Sequence, residues 1–385
     1  MHTLPVGLRR ELSERFGAHL HPLTVVAVQH DDYVEKVLFA SESGSRIETV
    51  VSHYREGSDS MCISSQAGCG LGCTFCASGA AGLVRNLTVD EIAAQVMHPH
   101  WTRAGLSRPA SVAFMGMGEA LANPALFESI VFLTDADYAG LSARRLTVST
   151  VGFAPNLARL VDEHPQVTIT LSVHSPFPDQ RARIIPLEDR YPLAENLSIL
   201  DRHAVASRRK IYLAYLLIAG VNDSDEHLDA LAMLVRERSR PELFHVSVIR
   251  YNDATGADPT YRAPRSRRVD EFVQGLHAKG IQATRRRQLG TAIDAACGQL
   301  HARYLEPGAE GTAPTTPKPS HYIDRSPRAV EGEPTDVHEL RRHPSETAQS
   351  NGLTVQLRST ASAAPARRAE PDSSTAMAAS PPCCD

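Results

Sequence analysis

The chain has 385 residues, of which 42% are hydrophobic and 22% charged, and its formal net charge is −4 at neutral pH. This is an ordinary globular composition, and the slight negative charge argues against a uniformly basic nucleic-acid-binding surface. No stretch approaches the ~18 consecutive apolar residues of a membrane-spanning helix, and the first residues lack the apolar centre of a signal peptide. We therefore expect a soluble, cytoplasmic protein whose seven cysteines are better explained as metal ligands or catalytic groups than as disulfides.

Residues 1–44 form a short N-terminal segment. Its sequence pattern predicts one helix followed by two strands, at residues 8–16, 25–30 and 36–41.

Residues 45–305 alternate strand and helix patterns. Six runs rich in β-branched and aromatic residues predict buried strands, at residues 60–65, 111–117, 145–150, 167–174, 210–220 and 244–251. Helical patterns lie at residues 87–101, 123–133, 154–164, 224–238 and 266–280. Two of these helices have good N-capping residues, Thr88 with Glu91 three residues later, and Ser224. The alternation predicts an α/β fold, a partial or complete barrel of six βα units with its chemistry at the carboxyl ends of the strands.

The composition changes near residue 306. Residues 306–385 contain 11 of the 25 prolines, a single aromatic residue (Tyr322) and no sustained apolar period. Such a segment cannot bury enough apolar surface to offset its chain entropy, so we expect a disordered tail. Two cysteines of this tail, Cys383 and Cys384, are interpreted as unpaired thiols without a role.

Three cysteines with the spacing C-x-x-x-C-x-x-C follow the first strand of the domain: Cys69, Cys73 and Cys76. A [4Fe-4S] cluster commonly has four cysteine ligands, so a local set of three leaves one iron open. S-adenosylmethionine (SAM) can chelate that iron through its amino and carboxylate groups. The alternative is a zinc site, which is usually built from paired C-x-x-C elements, and no second pair exists in the sequence. The motif therefore predicts a radical SAM enzyme with a [4Fe-4S] cluster and SAM as its cofactors.

Small and polar residues stand at the ends of the later strands. They are Gly116, Gly118, Glu119, Ser149, Ser172, His174 and Asn252. Glycine allows a ligand to approach the backbone closely, and the Glu119 carboxylate could receive the ammonium group of SAM. Each signal is weak alone, because a single serine or histidine at a strand end is usually a hydrogen-bonded loop residue. Together they predict a site at successive carboxyl ends.

Two cysteines lie outside the three-cysteine motif. Cys62 precedes it by seven residues, and Cys297 lies far downstream. The residue pattern leaves two interpretations open for both of them, a small buried hydrophobe or a reactive thiol.

Residues 5–305 resemble the RlmN/Cfr family of radical SAM ribosomal RNA methyltransferases. The resemblance rests on the segments CISSQAGCGLGCTFC, NLTVDEI, FMGMGEALAN and DAACGQL. The details are closer to Cfr than to RlmN, since GEALAN stands where RlmN proteins typically have GEPL, and Gln288-Leu289-Gly290 where they tend to have Thr-Arg-Gly. Family members normally begin with a helical domain thought to help hold RNA, and this sequence starts almost at its end. We therefore expect either an upstream start codon or reduced RNA docking.

The resemblance implies the radical SAM partial (βα)6 barrel and a role for each matching residue. The cluster ligands would be Cys69, Cys73 and Cys76. The SAM contacts would be Gly118, Glu119, Ser149, Ser172, Val173, His174 and Asn252. Cys297 would carry the methyl group, Cys62 would be the partner thiol that later forms a disulfide with it, and Glu48 would accept a proton.

The implied substrate is RNA, methylated on an adenosine. Cfr-like proteins methylate carbon-8 of an adenosine in 23S rRNA, whereas RlmN methylates carbon-2 of that nucleotide and of a tRNA adenosine. An iron–sulfur redox sensor without turnover is a third interpretation, but a sensor has no use for the strand-end residues or for DAACGQL. The expected partners are 23S rRNA, with tRNA as an alternative, and an electron donor such as flavodoxin or ferredoxin, with no membrane. RNA contacts would come from local arginine clusters, at residues 208–210, 265–268 and 285–287.

Overall fold

A computed structural model describes residues 5–16, 21–53, 59–102 and 109–302. The predicted disordered tail and its two cysteines lie outside these residues. Among the described helices, none is long and apolar enough to cross a membrane.

Twelve strands occur in the described residues. They are β1 Leu23–Asp31, β2 Val34–Ser41, β3 Arg46–His53, β4 Asp59–Cys62, β5 Gln66–Gly68, β6 Leu83–Asn86, β7 Ser111–Phe114, β8 Leu146–Thr150, β9 Thr168–Ser172, β10 Ile211–Leu217, β11 Phe244–Arg250 and β12 Ala283–Arg285. The described α-helices are α1 Val6–Phe16, α2 Ala77–Ala81, α3 Val89–Thr102, α4 Leu126–Thr134, α5 Ala154–Glu163, α6 Pro178–Ile184, α7 Leu193–Ser207, α8 Asp225–Arg236 and α9 Ser266–Ala278.

Ten strands form one sheet in the order β1-β2-β3-β4-β7-β8-β9-β10-β11-β12. The first four run antiparallel to one another, and every pair from β4 to β12 is parallel. The β5 and β6 strands form a separate antiparallel hairpin. The sheet is open between its edge strands β1 and β12, so the fold is a partial barrel. Its parallel strands bring their carboxyl ends to one edge.

The predicted α/β fold is confirmed, and each of the six predicted strands corresponds to a parallel strand, from β4 and from β7 to β11. The five predicted helices correspond to α3, α4, α5, α8 and α9. Sequence reasoning missed β3, the short strands β5, β6 and β12, and the helices α2, α6 and α7. These elements are short or rich in polar residues, which weakens the periodic signal on which the prediction relied.

The helices cover the sheet with apolar faces. In α9, Val269, Phe272, Val273 and Leu276 recur at helical spacing and are all buried. The Phe272 ring stacks on Tyr215 of β10, with 5.4 Å between the ring centroids. The β7 strand and most of β10 are also buried. Because buried strands are mainly apolar along their length, the polar side chains lie where the strands end.

The start of α3 is held by the predicted capping pair. The Glu91 backbone N–H donates to Thr88 Oγ1 at 3.3 Å, and Glu91 Oε2 accepts from the Thr88 backbone N–H at 3.0 Å. Glu91 also accepts two hydrogen bonds from Arg85 of β6, at 2.8 and 2.6 Å. These contacts join the β5–β6 hairpin to the first crossover helix.

Thr88→Ala should lower the free energy of unfolding by about 1 kcal/mol, because it leaves the Glu91 N–H without its side-chain acceptor. Thr88→Ser keeps that oxygen and serves as the matched control. Urea denaturation followed by circular dichroism measures both variants. An unchanged midpoint for Thr88→Ala would show that this cap contributes nothing to stability.

Candidate active site in a cysteine-lined cavity

A cavity of about 190 Å³ lies at the carboxyl ends of the parallel strands. Five cysteines line it: Cys62, Cys69, Cys73, Cys76 and Cys297. Most of the predicted SAM-contacting residues line it as well, namely Gly118, Glu119, Ser149, Ser172, His174 and Asn252. The structure therefore gathers into one cavity residues that come from opposite ends of the domain.

Three of these cysteines lie on the loop that connects β5 with α2. Cys69 and Cys73 are buried, and Cys76 is partly exposed and caps the N-terminus of α2. The loop is closed by backbone hydrogen bonds, from Cys69 N–H to the Gly82 carbonyl at 3.0 Å and from Cys76 N–H to the Cys73 carbonyl at 3.2 Å. The three thiols are therefore held on one short, fixed turn.

Burial raises the pKa of all three thiols, to about 12 for Cys69 and well above the ordinary value for Cys73, and it also raises the pKa of Cys76. For Cys69 and Cys73 the charges of neighbouring cysteines and of Glu119 raise the pKa further. Three thiolates can coexist in this place only if a positive charge lies among them, which metal ions supply. The donor set therefore fits a metal cluster.

A cluster and a single ion need different arrangements of thiolates. Within residues 5–302, leaving out the undescribed stretches, no three His, Cys, Asp or Glu side chains converge closely enough to ligate one metal ion. A tetrahedral zinc site with Zn–S bonds of ~2.3 Å would hold its sulfur atoms only about 3.8 Å apart. A [4Fe-4S] cluster binds each thiolate to a different iron and needs a wider set of ligands. The described residues thus contain no compact single-ion site, and the C-x-x-x-C-x-x-C motif favours the cluster.

Glu119 is buried beside the cysteine loop. Its backbone N–H donates to Gln66 Oε1 at 2.9 Å, and its carboxylate accepts from the backbone N–H groups of Leu121 at 3.2 Å and Val151 at 3.0 Å. Burial is the largest influence on the Glu119 carboxyl and raises its pKa. The carboxylate is thus fixed in orientation at the cavity wall, and a ligand ammonium there would favour its charged form.

His174 follows β9 with a left-handed backbone, at φ 57°. Its Nδ1 accepts a hydrogen bond from the Leu216 N–H at 3.0 Å, and its carbonyl accepts one from Asn222 Nδ2 at 2.7 Å. Burial lowers the pKa of His174 to about 3, with the nearby Arg181 charge as the second cause. The imidazole is therefore neutral with its proton on Nε2, and the edge of its ring packs against Phe75 of the cysteine loop, with centroids 4.8 Å apart.

Arg181 connects the ends of the neighbouring strands β8 and β9. Sequence reasoning missed this residue. It is fully buried, it pairs with Glu188, and it donates to the carbonyls of Val151, Ser172 and Val173. Val173, a predicted SAM contact, is buried outside the cavity lining and presents only its backbone to Arg181. No local pattern marks Arg181, because a single arginine in a helix usually reads as a solvated residue.

Cys297 lies in a loop that we call the Cys297 loop, residues 290–302. The Cys297 carbonyl accepts from Asn252 Nδ2 at 3.2 Å, and Asn252 Oδ1 accepts in turn from Gln288 Nε2. The next carbonyl, of Gly298, accepts from the Ala77 N–H at the start of α2 at 2.9 Å. The loop is therefore bonded directly to the helix that follows the cysteine motif.

Glu48 occupies a different position from the other predicted residues. It lies in β3, is fully buried outside the cavity lining, and is 3.2 Å from Lys36 Nζ through Oε1. Its Oε2 accepts from the backbone N–H groups of His301 at 2.8 Å and Ala302 at 3.0 Å. The predicted proton acceptor is thus joined to the end of the Cys297 loop.

Of the predicted arginine clusters, residues 265–268 lie at the start of α9, and residues 285–287 lie at the end of β12. Arg286 and Arg287 line the cavity, and Arg286 is largely buried. Arg285 pairs with Asp270, and Arg268 with Asp225. The cluster at residues 285–287 is therefore the one that brings positive charge to the cavity.

Comparison with known proteins identifies the relatives of this chain. Residues 63–234 match the Radical SAM superfamily. The chain is 43% identical over 305 residues to the ribosomal RNA large subunit methyltransferase Cfr of Staphylococcus aureus, which covers 79% of this chain and 86% of that protein. It is 42% identical over 304 residues to the protein of the same name from Shouchella clausii, with the same coverage of 79% and 86%. A radical SAM methyltransferase structure from Sphaerobacter thermophilus is similar with a TM-score of 0.72 and 39% identity, over 78% of this chain and 87% of that one.

Gly68→Ala should abolish iron binding by the cysteine loop. A Cβ at Gly68 would lie 1.9 Å from the Gly82 carbonyl oxygen, the atom that accepts the Cys69 N–H. Gly72→Ala is the matched control, because Gly72 also has a positive φ but no heavy atom lies within 4 Å of its Cβ position. That control should lose only the ~1 kcal/mol of a left-handed residue. Iron per chain after anaerobic reconstitution measures both, and equal iron in the two variants would contradict the role of the Gly68 contact.

Proposed function

This chain belongs to the Cfr family of radical SAM ribosomal RNA methyltransferases, and we propose that it methylates carbon-8 of an adenosine in 23S rRNA through a methylated cysteine. The observation that carries the proposal is the presence of five cysteines in one cavity, where three suffice for a cluster. A redox sensor needs the three and has no use for the other two.

The cluster would be held by Cys69, Cys73 and Cys76, with SAM on the open iron and against the strand-end residues. Bound there, the cluster would supply the electron that cleaves SAM to methionine and a 5′-deoxyadenosyl radical able to remove hydrogen from a methyl group. Glu119, fixed by two backbone N–H groups, would receive the ammonium of SAM, and the residue before it must be glycine because the Gln66 side chain packs against it. A Cβ at Gly118 would already lie 2.5 Å from the Gln66 side chain.

Cys297 would act first, as the nucleophile. Its thiolate takes the methyl group of one SAM by displacement and becomes a methyl thioether. Loss of a hydrogen atom from this methyl lets its carbon bond to the adenine carbon, which a direct displacement cannot achieve because that carbon is electron-poor. The base must first leave its stack to enter a cavity of this size.

Cys62 would release the product. After a proton leaves the adenine carbon, the Cys62 thiolate attacks the Cys297 sulfur and breaks the bond from that sulfur to the transferred carbon. Overall, the two thiols are oxidised to a disulfide while one SAM is reduced to methionine and 5′-deoxyadenosine, so the two electrons balance. An external electron donor, such as flavodoxin or ferredoxin, then reduces the disulfide.

The proton step has two candidate acceptors, Cys62 and Glu48. Cys62 lines the cavity with Cys297, whereas Glu48 lies outside the lining with both carboxylate oxygens facing other partners. We therefore assign the proton to Cys62, which passes it to water before the regenerated thiolate attacks the Cys297 sulfur, so that no second base is needed in the cavity.

The choice of carbon-8 rests on likeness to Cfr. The relatives named above are Cfr proteins at 42–43% identity, and the segment GEALAN distinguishes the chain from the RlmN pattern. RNA as the substrate is supported by Arg286 and Arg287 at the cavity, where they can meet phosphate groups around an extruded base. Carbon-2 methylation is the alternative outcome of the test below.

Cys62→Ala should trap the enzyme on its substrate. The variant can still accept the methyl group and bond to the adenine, but no thiolate can attack the Cys297 sulfur. The expected result is RNA attached covalently to the protein, stable in denaturant and released by nuclease, seen as a shifted band on a denaturing gel. The control is Cys62→Ala with Cys297→Ala, which should carry no RNA. Absence of the adduct in Cys62→Ala, with methylation retained in Cys297→Ala, would overturn the two-cysteine mechanism.

Nucleoside mass spectrometry identifies the modified carbon. We expect 8-methyladenosine in 23S rRNA from cells that express the chain, and its absence from cells that express Cys297→Ala. If 2-methyladenosine accumulated instead, the chain would be an RlmN-like enzyme despite its closer sequence likeness to Cfr.

A further inference from the structure

We propose that Lys36 and Glu48 form a buried anchor that positions the Cys297 loop over the cavity, so that Glu48 acts by positioning and not as a base. The inference rests on the proposed role of Cys297 as methyl carrier. It assigns a role to Lys36, which neither the motifs nor the reaction requires, and it reassigns Glu48.

The anchor joins two strands of the N-terminal antiparallel sheet to both ends of the loop. Lys36 in β2 and Glu48 in β3 are 2% and 0% exposed, and Nζ and Oε1 are 3.2 Å apart. Lys36 Nζ also donates to the Asp294 carbonyl at 3.3 Å. Glu48 Oε2 accepts from the backbone at 301 and 302, at 2.8 and 3.0 Å. One buried pair therefore contacts the loop before and after Cys297.

The loop conformation requires such an external hold. Gly290, Asp294, Gly298 and Ala302 all have positive φ, at 72°, 50°, 85° and 53°. Left-handed backbone is uncommon for alanine and tolerated by aspartate, so local preference does not select this path. The two residues of the four that are not glycine, Asp294 and Ala302, are contacted by Lys36 and Glu48 respectively. The anchor thus acts where the backbone is least favourable.

The opposite side of the loop is bonded to the cysteine motif and the strand ends. Ser78 Oγ donates to the Leu300 carbonyl at 2.5 Å, and Gln299 Nε2 donates to the Asp253 carbonyl at 3.0 Å. With the Gly298 and Cys297 contacts already described, the loop is clamped between the cluster helix and the β2–β3 strands. If the contacts to β2 and β3 were lost, the Cys297 loop would be held only by its contacts on the cavity side.

A buried ion pair is weak evidence for stability, because desolvation offsets much of its attraction. Burial lowers the pKa of Lys36, which the Glu48 charge opposes. The pair instead fixes the orientation of the Glu48 carboxylate, which accepts from two backbone N–H groups of the loop. A base would instead need to lie in the cavity beside the adenine carbon.

The test distinguishes the two roles of Glu48, positioning and base, by removing the charge of Lys36 alone and the charges of Lys36 and Glu48 together. Lys36→Met leaves an uncompensated buried carboxylate and should loosen the loop, whereas Lys36→Met with Glu48→Gln restores a neutral acceptor for the two N–H groups. If Glu48 positions the loop, the double variant should methylate RNA faster than Lys36→Met. If Glu48 is a base, the double variant should produce no methylated RNA. Glu35→Gln, which removes a buried carboxylate next to Lys36 in β2 that pairs with His30 of β1, is the matched control.

A second readout does not depend on methylation. Reconstituted protein is treated with iodoacetamide, and alkylation of Cys297 is followed by peptide mass spectrometry. We expect alkylation at least about tenfold faster in Glu48→Ala than in the wild type, from loss of two charge-assisted hydrogen bonds, and wild-type rates in Glu35→Gln. This rate reports loop position even if the methyl-carrier role of Cys297 were wrong, so the two failures are distinguishable.

Two results would overturn the proposal. One is a Cys297 alkylation rate in Glu48→Ala equal to that of the wild type, which would mean that the loop holds its place without the anchor. The other is a double variant that protects Cys297 like the wild type but yields no methylated RNA, which would return Glu48 to a chemical role.

Discussion

The rest of the structure depends on one electrostatic constraint, the confinement of several thiols and a carboxylate in a buried cavity. Burial and mutual repulsion raise the pKa of Cys69 and Cys73 and so disfavour their thiolate forms, and Glu119 adds to the effect. Beside the cysteine loop the donors are mostly neutral, such as backbone N–H groups and the uncharged His174, and the Arg181 charge is the smallest of the influences on Cys73. A metal cluster and a cationic ligand would supply the positive charge that the thiols still need, and SAM, with a sulfonium and an ammonium, fits that requirement.

Buried hydrogen bonds outside the cavity hold the residues that line it in place. Arg181 is bonded to three carbonyls at the ends of β8 and β9, and Asn222 holds the turn after His174. On the other side, Lys36 and Glu48 hold the Cys297 loop. The three-stranded N-terminal extension of the sheet thus has a purpose at the active site, although it contributes no residue that reacts.

The sequence was informative where chemistry forces a local pattern and uninformative where it does not. The C-x-x-x-C-x-x-C spacing and the apolar strands predicted the cysteine loop and the six parallel strands. Lys36 and Arg181 gave no signal, because a single charged residue is usually solvated and no local pattern marks either of them as buried. Only the family resemblance indicated that Cys62 and Cys297 would share a cavity. No local pattern could show it, because their proximity depends on how the whole barrel closes.

The most direct test of the account uses SAM whose methyl group carries three deuterium atoms. A methyl that passes through Cys297 loses one deuterium when hydrogen is abstracted and gains one hydrogen from water when Cys62 releases the base. Mass spectrometry of the modified adenosine should therefore find a methyl group with two deuterium atoms and one hydrogen. A methyl group that keeps all three deuterium atoms would mean direct transfer from SAM to the base, and would contradict the central role of the two cysteines.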